Sequence, residues 1–296
     1  MAAKERKITN HKLFDRYTVI SSIIIVYGGL IICETLIGAI FGAAIGLTLR
    51  ALSVENADTI AMVSINLIAV LGAFFVLSLF WRWFYPEYQG SIHGGRKVGM
   101  WVIICLALIA AMSSVQIITG ADELGIPPIV NISTALMAGV CEEAVFRGLG
   151  VSYLMRQWGE KKDIWKVIGL SSLLFAVVHG VNLFSGAPVL MTIVQILNAF
   201  SMGCMVSTIF LRSGNLIPVM LLHFLNDFVA FMNVGAIAEG GTYNGDTAVS
   251  GEVLLSLFVF SAVFITLSLI FIRPSKRDEI TALWNEKWSR GSQGRG

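Results

Sequence analysis

"PPIVNISTALMAGVCEEAVFRGLG", residues 127–150, is long and apolar enough to cross a bilayer, yet carries Glu142, Glu143 and Arg147 near its end. In a soluble protein the same stretch would be a buried core helix. The composition of the whole chain decides between the two. Of its 296 residues, 56% are hydrophobic and 14% charged, with a mean hydropathy of +0.77. A soluble domain carries about 25% charged residues. No globular core could hide so much apolar surface within itself. The stretch is therefore a membrane span, and the fold class is an all-α, polytopic membrane protein.

Working outward, seven more apolar runs are candidates: 17–46, 60–81, 99–119, 166–181, 188–211, 215–234 and 252–272. The expectation is about eight transmembrane helices. The first run is too long for the apolar core of a cleaved signal peptide, so it reads as a retained span. Its length allows tilt or a break between Gly38 and Gly46, but a split would spoil the alternation of charge, so it is kept as one span. Lys and Arg test the count. Arg16, Arg82, Arg96, Lys97, Arg156, Lys161, Lys162, Lys166, Arg212, Arg273 and Lys276 fall at alternate ends of successive spans, while Arg50, Glu55, Asp58, Asp122, Glu123, Glu239 and Asp246 fall at the others. Basic residues mark the cytoplasmic side. This predicts a multi-pass plasma-membrane protein with both termini cytoplasmic and 47–59, 120–126 and 235–251 outside. Residues 1–16 form a cytoplasmic N-terminal segment, 17–272 one membrane domain, and 273–296 a cytoplasmic tail whose Trp284 and Trp288 are expected at the membrane interface.

The net charge of +2 comes without a basic patch interleaved with aromatics, so no nucleic-acid partner is implied. The four cysteines, all in apolar runs, form no CxxC pair and read as small buried hydrophobes. Asn66, Gln116, Gln195 and Asn198 read as hydrogen-bonding links between helices.

Ionisable side chains within a bilayer cost about 2.5–3.5 kcal/mol each at a helix centre and are functional candidates by default. Here they are Glu34, Glu142, Glu143, Arg147, His179, His223 and Asp227. Counting from the nearest basic anchors, Glu142, His179 and His223 lie at similar depths, roughly 17–21 Å along their helices. Glu143 and Arg147 are one turn apart with Glu on the N-terminal side, a favourable pair. Glu142 points about 100° away, so Arg147 can neutralise Glu143 and leave Glu142 for chemistry. Asp227 follows His223 by one turn and can orient its ring. Phe175 precedes His179 in the same way and can wall a pocket. Glu34, isolated in the first span, reads as structural.

The ordered set EExxxR (Glu142, Glu143, Arg147), FxxxH (Phe175, His179) and HxxxD (His223, Asp227) resembles the CAAX protease and bacteriocin-processing enzyme family of intramembrane endopeptidases. The resemblance covers a core of about 127–234. It implies a glutamate-dependent peptide hydrolase acting on a peptide or a lipidated protein substrate, prenylated proteins among them, within membrane lipid. It implies that Glu142 and His179 activate water, and that His223 and Asp227 bind the oxyanion, with Glu143, Arg147, Phe175 and Asn226 in support. The family often has Asn where this chain has Asp227, which makes the neighbouring Asn226 a second candidate donor. A zinc site built from His179, His223 and Glu142 is the alternative to metal-free water activation. No HExxH element is present, and the expectation is no cofactor. Two other classes compete: a proton-coupled transporter using the same Glu and His groups, and a non-catalytic immunity or scaffold protein.

Overall fold

The computed structural model describes residues 12–118, 125–232 and 251–289. Every regular element among them is helical. Lipid offers no hydrogen-bond partner to a free N–H or C=O, so each spanning segment must satisfy its own backbone. A short α1 (Lys12–Arg16) leads into α2 (Thr18–Leu30), which passes through a π-helical turn (Ile31–Ile37) into α3 (Gly38–Ala51). Then come α4 (Ala57–Phe84) and α5 (Val98–Ile118). Helix α6 (Ile129–Glu143) runs through a second π-helical stretch (Ala144–Val151) into α7 (Ser152–Trp158). Helix α8 (Ile164–Val178) ends in a 3-10 turn (His179–Ser185), followed by α9 (Val189–Ser213) and α10 (Ile217–Phe231). The last elements are α11 (Gly251–Phe271) and α12 (Pro274–Ser289).

The all-α polytopic fold stands, and each expected span falls on a helix. The count of eight does not follow from helix length. Among the described residues five helices are long and apolar enough to cross, or six if the bent pair Leu257–Phe271 and Pro274–Trp288 is one span. Val98–Ser114 and Ile217–Phe231 are apolar but shorter. Residues 119–124 and 233–250, which include most of two expected outer loops, lie outside the described residues. So does the side chain of Gln116.

The first span is not broken between Gly38 and Gly46. Helix continues from Thr18 to Ala51, and its irregular turn comes earlier, at Ile31–Ile37. The glycines serve packing instead. A Cβ on Gly42 would lie 2.2 Å from Ile65 Cγ1, and one on Gly46 would lie 3.6 Å from Ala61 Cβ. Small residues spaced by four thus let α3 press against α4.

The same device joins α6 to α10. A Cβ on Gly139 would lie 2.7 Å from the Phe224 backbone nitrogen. The two helices nearly touch one turn before the glutamate pair, which brings that pair up to His223. Asn66 ties α4 to α6 by donating to Ser133 Oγ at 2.9 Å, and Asn182 donates to Gln195 Oε1 at 2.8 Å. Asn198 Oδ1, by contrast, is buried without a hydrogen-bond partner.

The tail is packed against the rest of the protein. Helix α12 docks on the ends of the bundle, with Trp284 only 1% exposed and its Nε1 donating to the Leu211 carbonyl at 3.0 Å. Trp288 packs into an aromatic cluster, its ring centre 4.4 Å from Tyr88 and 5.5 Å from Trp81. Residues 290–296 lie outside the described residues.

Candidate active site

The site is organised around one carboxylate oxygen. Glu143, fully buried in the last turn of α6, accepts from Arg147 Nη1 at 2.8 Å and from His223 Nδ1 at 2.8 Å, both on Oε1. A carboxylate paired with a guanidinium is ionised and can only accept, so Nδ1 of His223 carries the proton. Arg147, also fully buried, donates through Nη2 to the Gly203 carbonyl at 3.3 Å and stacks 4.4 Å above the Phe175 ring. Salt bridge, hydrogen bonds and cation–π contact together offset the cost of burying these charges.

All eight residues of the π-helical stretch Ala144–Val151 are buried. Its glycines make room for neighbours: a Cβ on Gly148 would lie 2.8 Å from Leu77 Cδ1, and one on Gly150 would lie 2.9 Å from Val26 Cγ2. Extra-wide turns of this kind recur at functional sites.

Glu142 stands one residue before this network. Its Oε2 is buried and has no hydrogen-bond partner, while its charge interacts with His223, Asp227, Glu143 and Arg147. The adjacent glutamates thus differ at Oε1, which in Glu143 is bonded twice, while Oε2 of each is buried without a hydrogen-bond partner.

His179 opens the 3-10 turn after α8. Its Nδ1 lies 3.0 Å from the Phe175 carbonyl, which can only accept, so Nδ1 carries the proton and the Nε2 lone pair is left over. Phe175 does more than wall a pocket. Its ring centre is 5.3 Å from His179 and 5.7 Å from His223, edge-on to each, so one phenyl ring packs against both imidazoles.

His223 Nε2 faces Asp227 Oδ2 at 3.5 Å, and Asn226 Nδ2 donates to Asp227 Oδ1 at 3.1 Å. The shorter restraint on His223 comes from Glu143, on another helix. No spacing along α10 could reveal that contact.

Glu34 is not the isolated residue its sequence position suggests. It sits in the first π-helical turn, with Oε1 buried and without a hydrogen-bond partner. Its charge acts on both Glu142 and His223. The only sequence signal was its being a carboxylate within a span.

Among the described residues, no group of three His, Cys, Asp or Glu side chains is disposed to hold a metal ion. The alternative zinc set of His179, His223 and Glu142 has one ring nitrogen of His223 already engaged by Glu143 and one of His179 by a carbonyl. The arrangement offers a carboxylate oxygen for a proton, an imidazole lone pair, and a second imidazole held in place.

No curated protein matches the chain. Residues 125–229, roughly a third of it, match the family model "Rce1-like: Type II CAAX prenyl endopeptidase Rce1-like", and they contain all three motifs. That segment is similar to the CAAX-type intramembrane endopeptidases that the motifs resemble.

Proposed function

We propose that the chain hydrolyses a peptide bond of a membrane-associated protein or peptide, prenylated substrates among them, with water activated by Glu142. The observation that carries the reading is the ion pair of Glu143: Arg147 and His223 both bond its Oε1 and Arg147 counters its charge, whereas Glu142 has no such counter-ion bonded to it; Oε2 of both glutamates is buried without a partner. Glu142 takes a proton from water while His179 Nε2 accepts the other hydrogen and aligns the oxygen on the scissile carbonyl carbon. The carbonyl oxygen becomes an oxyanion, which receives a hydrogen bond from His223 Nε2–H, the ring being held through Nδ1 by Glu143. Asn226 supplies a second donor, and Asp227 supports the proton on Nε2. The C–N bond then breaks, and Glu142 passes its proton to the leaving amine.

The test is a cleavage assay of the purified chain on prenylated and plain peptides. Glu142→Gln is expected to lower turnover by about 10²–10⁴-fold with melting unchanged. A variant that cleaves at the wild-type rate would remove Glu142 from the role. Wild-type protein that cleaves neither peptide would favour transport or scaffolding. Metal content by mass spectrometry, followed through exhaustive chelation, decides the zinc alternative. Near-stoichiometric zinc, lost with activity and restored by zinc alone, would overturn the metal-free reading.

The same reading places the chain in the plasma membrane with both termini cytoplasmic, supported by the alternation of basic residues. Cysteines introduced at Glu55 and Glu160 should then label from opposite sides. Labelling from one side would sink the topology.

A further inference from the structure

Where the ends of α5, α9 and α12 meet, far along the chain from the glutamate pair, a cavity of about 250 Å³ is lined by Arg96, Lys97, Trp101, Arg212, Glu279 and Ile280. Trp101, 3% exposed, lies in the first turn of α5, and Arg212 lies in the last turn of α9. Aromatic and basic residues at span ends mark the headgroup level of a bilayer. The cavity therefore opens where lipid headgroups are, not in hydrocarbon.

Its charges are not balanced from within. Arg212 is 12% exposed and pairs with Glu279 through Nη2 at 3.3 Å. Its Nη1 is buried and has no acceptor. Glu279 is shared with Lys276, whose Nζ donates at 2.6 Å, and the charge of Lys97 also acts on it. Arg96 reaches Glu286 at 3.3 Å. Three lining cations thus face one lining carboxylate, itself divided between partners. The Arg212 guanidinium is held 5.9 Å over the Trp101 ring, which fixes the plane in which its spare N–H points.

We propose that this cavity binds the phosphate headgroup of an anionic phospholipid. The phosphate oxygens accept from Arg212 Nη1 and from Lys97, and the acyl chains run down beside α5 and α9. Basic pockets between span ends are suited to such headgroups. A planar guanidinium with a free N–H is the donor best matched to phosphate. Glu279 occupies part of the same electrostatic space, so it weakens binding and sets a threshold for it.

The experiment is native mass spectrometry of the delipidated full chain in neutral detergent. It is titrated with phosphatidylglycerol, phosphatidylcholine and inorganic phosphate in turn. One phosphatidylglycerol should bind per chain, in preference to phosphatidylcholine, and millimolar inorganic phosphate should not displace it. Lys97→Gln and Arg212→Gln should each weaken binding about fivefold. Glu279→Gln should tighten it, an effect that misfolding cannot imitate. Equal binding of the two lipids, or unchanged affinity in all three variants, would refute the site. Displacement by inorganic phosphate would assign the cavity to a soluble anion and overturn the lipid. Peptide cleavage is not read in this experiment, so its failure leaves the hydrolase reading untouched.

Discussion

Two membrane helices of this chain contain a π-helical turn, and a glutamate lies in or beside each. At Ile31–Ile37 only Cys33 is buried, and Glu34 Oε1 has no hydrogen-bond partner. At Ala144–Val151 every residue is buried, and Glu143, just ahead of the turn, is bonded by both Arg147 and His223. The first turn sits at the bundle's margin, the second at its centre. The difference teaches that a carboxylate is held by its donors and not by its depth. Glu143 is part of the architecture, whereas Glu34 Oε1 is buried without a hydrogen-bond partner.

The largest expected effect on stability comes from the central turn. Glu143→Gln leaves Arg147 buried without its counter-charge and releases His223, and should cost about 3–5 kcal/mol. Thermal melting in detergent beside turnover is the check. A variant that melts like the wild type would mean that Glu143 is not the architectural carboxylate.

The flanking glycines sharpen the contrast at smaller scale. A Cβ on Gly139 meets the Phe224 backbone at 2.7 Å, whereas one on Gly42 meets only the Ile65 side chain. Backbone cannot step aside, but an isoleucine can change rotamer. Gly139→Ala should therefore destabilise by about 1–3 kcal/mol through overpacking and lower activity by shifting α6 against α10. Gly42→Ala should cost less. Equal losses in melting would show that the central contact is no tighter than the marginal one.

The smallest effect is expected at Glu34. Glu34→Gln removes no hydrogen bond, so melting should move by no more than about 1 kcal/mol, and the variant should still cleave. A loss as large as that of Glu143→Gln would erase the distinction between the two turns.

Several features were legible along the chain because they are local or compositional. Scarcity of charge gave away the membrane class. Spacing by four paired Glu143 with Arg147, since both lie on one helical face, and the order of the three motifs pointed to a peptidase family that residues 125–229 also match. The stretch Gly38–Gly46 shows the limit. A glycine reads equally as a weak point or as a place of close approach, and only Ile65 and Ala61 across the interface tell which.

By itself, then, the sequence determined an all-helical membrane protein, the residues worth suspecting and the contacts within one turn of one helix. Only the tertiary structure decided that Glu143 bonds His223, 80 residues away, that Phe175 packs against both His179 and His223, and that α12 docks through Trp284. The reason is the solvent. In water a helix shows which face is buried by being polar on the other. In lipid both faces are apolar, so the pattern carries little signal, and the meeting of helices is left to close packing at small residues such as Gly139.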